Sequence, residues 1–136
     1  MRQKQAAVFS GGLDATLLQP WHIAWFKHHG FRLGKAWFAC DSQNAIYTLD
    51  RVADLMSDFP LRKKYCYVLA GFEPEDTPAA AERRCEAVLM KGLCPFLMLY
   101  QPMCRRIYSC EWRDVQRKWT RPAAYLSSAP SIVKKE

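Results

Sequence analysis

The sequence predicts an α/β fold: half of a parallel (β/α) barrel, with about four βα units and a basic helical extension at the carboxyl end. Short apolar segments begin near residues 6, 36, 65 and 95, about thirty residues apart, which is the length of one strand-and-helix unit. Amphipathic helical patterns lie between these segments. At 136 residues the chain is well short of the roughly 250 residues of a complete eight-unit barrel.

The four apolar segments are predicted to be buried parallel strands. They are continuously apolar rather than alternating, which is typical of strands covered on both faces, and their aromatic and β-branched residues favour strand over helix. Right-handed crossovers then make the strands parallel neighbours in chain order. The residues expected to be buried include Phe9, Phe38, Val68 and Leu97.

The predicted helices carry recognisable start and stop signals. A capping Thr77 followed by proline begins one helix, and Gly92 ends it. The first helix is expected to begin at Pro20 and to end at residues 28–30. The helix after the second strand is indicated by apolar residues at helical spacing: Ile46, Leu49, Val52, Ala53 and Met56.

Residues 1–103 are predicted to form the partial barrel, and residues 104–136 a basic and aromatic extension with a helix near residues 111–120 that Pro122 ends. Two interpretations of the extension stay open. Its cations and rings suit a single-stranded nucleic acid, or its helix packs the tryptophans onto the barrel. The residues concerned are Arg105, Arg106, Tyr108, Trp112, Arg113, Arg117, Lys118, Trp119 and Arg121.

Composition limits the classes of partner. The formal net charge of +7 fits anionic partners such as nucleic acid or phosphorylated metabolites. No apolar run approaches the roughly 18 residues of a membrane span, and no apolar segment follows the charged amino terminus. We therefore expect a cytoplasmic protein without a membrane partner.

The six cysteines are expected to be reduced thiols rather than disulfides or metal ligands. Most stand in apolar contexts that read as buried strand positions. No pair has the spacing of a CxxC motif, and the nearest pair, Cys104 and Cys110, has no histidine beside it. The sequence therefore predicts no metal site within this chain.

Polar or glycine residues follow every predicted strand, at the edge where parallel α/β folds bind ligands. Asp41 is either the N-cap of the next helix or an acceptor for a ligand hydroxyl, and Gly71 indicates close backbone approach to a ligand or a turn. The stretch after the first strand is either a ligand loop or a tight turn with a capping aspartate. Its candidate ligand-binding residues are Ser10, Gly11, Gly12 and Asp14.

Five blocks of the sequence resemble successive blocks of radical S-adenosylmethionine (SAM) proteins, particularly uncharacterised ones of phages and bacteria. The blocks cover residues 8–15, 37–41, 66–72, 95–100 and 112–123, in matching order and spacing. The resemblance implies that SAM is the cofactor and that Val68 and Gly71 line its adenine pocket. It also implies that Asp41 lies near the ribose or methionyl group, and that Ser10 and Asp14 face SAM or the substrate.

The chain departs from that family at the iron-sulfur cluster. Radical SAM enzymes hold a [4Fe-4S] cluster through a CxxxCxxC motif, and no cysteines here have that spacing. The resemblance therefore implies the carboxyl part of a core domain, which carries a cluster only when a missing amino-terminal part is supplied. We expect a fragment, a truncation or half of a split enzyme, inactive alone, whose two open strand edges lead to self-association or to binding of an amino-terminal partner segment.

An alternative starts from the stretch of residues 10–14, which also resembles the pyrophosphate loop of N-type ATP pyrophosphatases. That resemblance implies an adenylating domain that binds ATP through this loop. Such loops normally have Ser or Thr at the position of Ala15, whereas Thr16 stands one residue later.

Overall fold

The computed structural model describes residues 5–28, 31–42 and 44–127. Its centre is a single four-stranded parallel sheet in which the strands lie in chain order. The predicted α/β fold with sequential parallel strands is therefore confirmed, and the sheet is open rather than closed into a barrel. The strands are β1 (Ala7–Leu13), β2 (Leu33–Cys40), β3 (Lys64–Ala70) and β4 (Cys94–Leu99).

Helices alternate with the strands, and two more follow β4. They are α1 (Pro20–Phe26), α2 (Thr48–Leu55), α3 (Pro78–Met90), α4 (Cys110–Trp119) and α5 (Pro122–Leu126). Short 3-10 turns cover Ala15–Leu17, Asn44–Tyr47 and Leu61–Lys63. The buried residues of the helices belong to one hydrophobic cluster with Phe38, Val68 and Leu97 of the strands, so α1 to α4 pack on that face of the sheet. Helix α5 lies at the β4 edge, which Tyr125 contacts.

The two faces of the sheet differ in what covers them. Phe38, Val68 and Leu97 are fully buried against the helices, and Phe9 is half-buried on the same side. The opposite face carries a cluster of rings that pack on one another instead of beneath helices. Its members are Trp37, Tyr65, Tyr67 and Phe96, with Trp37 stacked on both tyrosines at centroid distances of 4.4 and 4.5 Å. The prediction of cover on both faces is therefore wrong among the described residues.

Strand β1 extends further than the sequence indicates. The stretch expected to be a loop after the strand is part of the strand itself, up to Leu13. Between the pairs Phe9–Ala36 and Leu13–Phe38, β1 advances four residues while β2 advances two, so the extra residues form a bulge. Gly12 has a φ of 74°, a conformation that favours glycine. The paired glycines thus interrupt the pairing of an edge strand.

The helix ends match the sequence signals in part. Thr77 caps α3 by accepting a hydrogen bond from the amide of Ala80, and the helix closes before Gly92, as predicted. Helix α1 ends at Phe26, earlier than expected, and residues 29–30 of its predicted end lie outside the described residues. Helix α4 ends before Pro122, as predicted, but Pro122 is also the first residue of a further short helix, α5.

The extension joins the same core instead of standing apart from it. Trp112 and Trp119 of α4 and Tyr125 of α5 are buried in the cluster that includes the sheet. The hydroxyl of Tyr125 donates a 3.0 Å hydrogen bond to the carbonyl of Pro95 in edge strand β4. Of the two edges expected to be open, the β4 edge is thus partly covered by the chain itself.

The segment between β4 and α4 folds back across the end of β3. Tyr108 is buried there, and its hydroxyl donates to the carbonyl of Tyr100. Gly71, with a φ of 73°, lies directly beneath this ring, where an added Cβ would come within 2.7 Å of the Tyr108 hydroxyl oxygen. Two independent constraints, backbone conformation and space, therefore require glycine at this position.

Gly92 offers a matched test of these two constraints, because its φ is 82° and a Cβ there would meet nothing within 4 Å. Gly92→Ala is expected to lower the free energy of unfolding by about 1 kcal/mol from backbone strain alone. Gly71→Ala should lower it by about 1–3 kcal/mol more, because Tyr108 must also move. Urea denaturation measures both, and the extra loss should disappear when Tyr108→Ala is the background. Equal losses of stability in Gly71→Ala and Gly92→Ala would show that Tyr108 moves aside at no cost in free energy.

Candidate functional site

A cavity of about 240 Å³ opens at the carboxyl ends of β2 and β3, beside the start of α3. Four of its lining residues are acidic and one is basic, so the cavity is negative although the chain as a whole is positive. It is the place where a parallel α/β sheet is expected to bind a ligand. The lining residues are Asp41, Ser42, Leu69, Phe72, Glu73, Glu75, Asp76, Ala80 and Arg84.

A buried ion pair forms the floor of this cavity. The guanidinium of Arg84 donates to both carboxylate oxygens of Asp76, at 3.0 and 2.7 Å, and one of its nitrogens also donates to the carbonyl of Leu69 at 3.1 Å. The side chains are only 7% exposed for Asp76 and 11% for Arg84. Asp76 further accepts hydrogen bonds from the amides of Gly71 and Thr77. The pair therefore fastens the end of β3 to the first turns of α3.

These contacts hold Asp76 in its ionised form. Burial alone would raise the pKa of this carboxyl group, but the hydrogen bond from Arg84, the amide of Gly71, the charge of Arg84 and the amide of Thr77 together lower the pKa below its usual value. The same carboxylate raises the pKa of Arg84 through their hydrogen bond, against the opposing effect of burial. Both partners thus stay charged at neutral pH.

Asp41 lies at the mouth of the cavity, immediately after β2. Among the residues that the structure describes, Asp41 caps no helix, and its role as an acceptor for a ligand hydroxyl stays a prediction. Ser42 takes the capping role, since its hydroxyl accepts a 3.3 Å hydrogen bond from the amide of Ala45. Asp41 is exposed, and its carboxylate has no hydrogen-bond partner among the residues that the structure describes. It is therefore available to a ligand.

Gly71 and Val68 take part in contacts within the chain. The amide of Gly71 donates to Asp76 at 2.8 Å, and its carbonyl accepts from Arg106 at 2.7 Å. Tyr108 covers its Cα, as described above. Val68 is fully buried in the core. The implied contacts of these two residues with an adenine ring stay a prediction.

The candidate ligand-binding residues of β1 do not line the cavity beside Asp41. Ser10 and Gly11 are exposed, and the carbonyl of Ser10 accepts a 3.1 Å hydrogen bond from the hydroxyl of Tyr67 on the open face. Gly12 lies over the same face, where a Cβ would contact the side chains of Ala39 and Tyr67. The bulge therefore borders the ring cluster, and not the cavity beside Asp41.

Asp14 serves as the cap of the turn that follows β1. Its carboxylate accepts hydrogen bonds from the hydroxyl and the amide of Thr16, at 2.6 and 2.8 Å, and these bonds lower its pKa. The turn Ala15–Leu17 is only three residues long, and α1 begins later, at Pro20. A pyrophosphate loop instead leads directly into a helix whose amides face the anion. The geometry thus gives the ATP pyrophosphatase alternative little support.

An apolar groove of about 440 Å³ lies between β1 and α1, and the sequence reasoning missed it. Trp21 and Trp25 line this groove, and 65% and 51% of their surfaces are exposed. Monomeric proteins seldom leave neighbouring large apolar side chains this exposed. Their spacing of four residues places both rings on one side of α1, which is the signal that could have revealed the groove. The remaining lining residues are Phe9, Leu13, Asp14, Leu17, Leu18, His22 and Phe26.

The cysteines do not fit a [4Fe-4S] cluster. Cys40, Cys66, Cys85 and Cys94 are buried free thiols, as expected for core positions, and Cys104 and Cys110 are exposed. Burial raises the pKa of Cys85, which opposes formation of the thiolate that iron requires. Among residues 5–28, 31–42 and 44–127, no three side chains of the metal-binding types converge on one point.

The tryptophans of the extension are not free to stack on bases. Both are buried in the core. On the outer side of α4, Lys118 pairs with Glu82 and Arg117 pairs with Asp114. The packing interpretation of the extension thus accounts for its rings, while binding of nucleic acid stays a prediction.

Comparison with known proteins gives no further assignment. No family model, no curated protein and no solved structure matches the chain. Within the described part of the chain, no helix has both the length and the apolar character to cross a membrane.

The Asp76–Arg84 pair generates a prediction for the effect of pH on stability. Because the pKa of Asp76 is lower in the folded protein than in the unfolded chain, its ionisation stabilises the fold above about pH 4 and ceases to do so as the pH falls through the lower, folded value. Asp76→Asn leaves Arg84 buried without its counter-charge, which should cost about 3 kcal/mol at pH 7. Urea denaturation at pH 7 and at several lower values should show this difference shrinking with acidity.

Asp58→Asn is the control for that experiment. Asp58 pairs with Lys27, and hydrogen bonding to Lys27 lowers its pKa, but its side chain is 70% exposed. We expect this substitution to leave the urea midpoint close to that of the wild type at every pH, because solvent screens an exposed ion pair. Equal losses for the two variants, or a loss for Asp76→Asn that does not depend on pH, would contradict a structural role of the buried pair.

Proposed function

We propose that this chain forms one wall of a radical-SAM-type barrel, contributing part of the SAM and substrate cavity but no ligand of the iron-sulfur cluster. The observation that carries the proposal is the sheet itself: four sequential parallel strands with α1 to α4 packed on one face. This is the arrangement of consecutive βα units in a barrel wall, whose uncovered face becomes the barrel interior. The chain is proposed to act in the cytoplasm, where buried free thiols persist.

The β1 edge supports this proposal. In a barrel wall, each helix is flanked by a helix on both sides. In the described part of the chain, helix α1 has no such neighbour on the groove side, where Trp21 and Trp25 are exposed beside edge strand β1. An additional strand and helix would pair with β1 and cover both tryptophans. We therefore propose that an amino-terminal segment or a second copy of the chain binds at this edge.

The negative charge of the cavity beside Asp41 supports SAM as the ligand. SAM carries a sulfonium and an ammonium group, and its ribose hydroxyls are hydrogen-bond donors. A cavity in which the Asp41 carboxylate has no partner among the described residues complements these groups. At about 240 Å³, the cavity is smaller than the roughly 300–1,000 Å³ of a complete ligand pocket. It would hold only part of SAM, and a covering segment would complete the site.

The CxxxCxxC motif that holds the cluster of that enzyme family does not occur in this sequence. The radical chemistry of the family depends on the cluster, which a segment bearing the cysteine motif would supply. The residues of this chain would instead bind and orient the methionyl or ribose part of SAM, with Asp41 as the hydrogen-bond acceptor.

Binding of SAM by the isolated chain tests this proposal. Titration calorimetry should show weak binding, because both the cluster and part of the pocket are missing, and Asp41→Asn should weaken it by about tenfold through loss of a charge-assisted hydrogen bond. Asp54→Asn is the matched control, since Asp54 is exposed on α2 and does not line the cavity. Equal affinities of the two variants would contradict the role of Asp41.

ATP provides the opposing ligand in the same experiment. The anionic triphosphate is expected to bind no better than SAM, because the cavity beside Asp41 is acidic. Tight binding of ATP with Mg²⁺ that is lost in Asp14→Ala would instead favour the ATP pyrophosphatase alternative.

The exposed groove predicts self-association of the purified chain. We expect light scattering at low micromolar concentration to report a species larger than a monomer, and Trp25→Lys to shift it towards the monomer, because a charge is placed in the apolar contact. Tyr47→Lys is the control, since Tyr47 is 72% exposed outside the groove. A monomeric wild-type chain with a cooperative melt would contradict the need for a covering segment.

A further inference from the structure

A second cavity at the carboxyl edge, distinct from the one beside Asp41, is lined by three arginines. It has a volume of about 640 Å³ and lies between the end of β4 and the first turns of α4. None of the described residues that line it is acidic. The lining residues are Leu99, Gln101, Arg105, Arg106, Ile107, Tyr108, Arg113 and Gln116.

The three arginines come from one short stretch of the chain, Arg105 and Arg106 just before α4 and Arg113 within it, and their guanidinium groups are held in different ways. Arg106 donates to the carbonyl of Gly71 at 2.7 Å, and its guanidinium carbon lies 4.9 Å from the centre of the Tyr108 ring. Arg113, in α4, donates to the Sγ atom of Cys110 at 3.3 Å. Arg105 has no ion-pair or hydrogen-bond partner among the described residues. Two of the cations are thus positioned, and the third is uncommitted.

This arrangement concentrates positive charge in a concave space. Like charges around one cavity repel one another, and a concave wall of low polarity increases the local potential. Elsewhere on the extension, basic residues face acidic ones, as Arg117 faces Asp114 and Lys118 faces Glu82. In the arginine cavity, no carboxylate among the lining residues neutralises the charge. Glu111 stands in the first turn of α4, but it is exposed and does not line the cavity.

We propose that the arginine cavity binds the phosphate group of a small phosphorylated molecule. The planar fork of a guanidinium matches two phosphate oxygens, and a dianionic phosphate monoester balances several cations better than a singly charged carboxylate does. A volume of about 640 Å³ is that of a small-molecule site. The inference is independent of the proposed function, because it rests on neither SAM nor a covering segment.

Titration with inorganic phosphate at constant ionic strength tests the inference, with amide chemical shifts as the readout. Saturable shifts are expected at the end of β4 and the start of α4. Arg105→Gln and Arg113→Gln should each weaken the affinity about tenfold, the effect of losing one charge-assisted hydrogen bond. Both residues are exposed, so the thermal midpoints of these variants should stay close to that of the wild type.

Arg117→Gln is the matched control. It removes the same charge from the same helix, but Arg117 does not line the cavity, so its effect on phosphate affinity should be small. Equal weakening by all three substitutions would show only a general attraction of anions and would overturn the proposal. So would the absence of saturable shifts up to about 10 mM phosphate.

The source of the phosphate is distinguished by a second pair of ligands. A phosphate monoester such as glycerol 3-phosphate should compete with inorganic phosphate and shift the same amides. A short oligonucleotide without a terminal phosphate offers only phosphodiesters, and it should compete poorly. Tighter binding of the oligonucleotide, with the same sensitivity to Arg105→Gln and Arg113→Gln, would overturn the small-molecule proposal in favour of nucleic acid.

Discussion

The buried ion pair between Asp76 and Arg84 holds together the edge of the sheet where ligands are expected. Removing two charges from water is costly, and a single contact would not offset that cost. Here the carboxylate also accepts hydrogen bonds from two backbone amides, for four in all, and the guanidinium also donates to a backbone carbonyl, for three in all. The pair also positions Gly71, because the amide of Gly71 donates to Asp76. The carbonyl of Gly71 then accepts a hydrogen bond from Arg106.

Local patterns account for the parts of this fold that the sequence could predict. The strands and the capped helix α3 follow from contiguous apolar runs and from adjacent cap residues, which are signals within a few positions of the chain. The ion pair could not be read in the same way, because Asp76 and Arg84 are eight residues apart and look like ordinary surface charges. The bulge was also missed: two glycines predict a break in regular structure, but only the pairing partner in β2 shows that the strand continues beyond it.

The net charge conceals the separation of charge along the carboxyl edge. On one side of Gly71 lies the acidic cavity that includes Asp41, and on the other lies the cavity lined by arginines. Gly71 connects them through its own backbone, since its amide donates to Asp76 and its carbonyl accepts from Arg106. A composition of +7 predicts anionic partners for the whole chain, but it cannot predict that one ligand cavity is negative.

The position of Tyr108 determines what can reach Gly71. The radical SAM resemblance implies an adenine ring against this glycine, and a flat ring does lie there, but it is the chain's own tyrosine. Tyr108 is buried and donates a hydrogen bond to Tyr100, so displacing it loses about 1 kcal/mol for the bond and exposes much of an aromatic ring to water. A ligand ring can regain the buried area by stacking in the same place. It must supply its own partner for the carbonyl of Tyr100, which an exocyclic amino group could do and an unsubstituted ring could not. Glycine at position 71 is therefore required by the packing of Tyr108 itself, with or without a ligand ring.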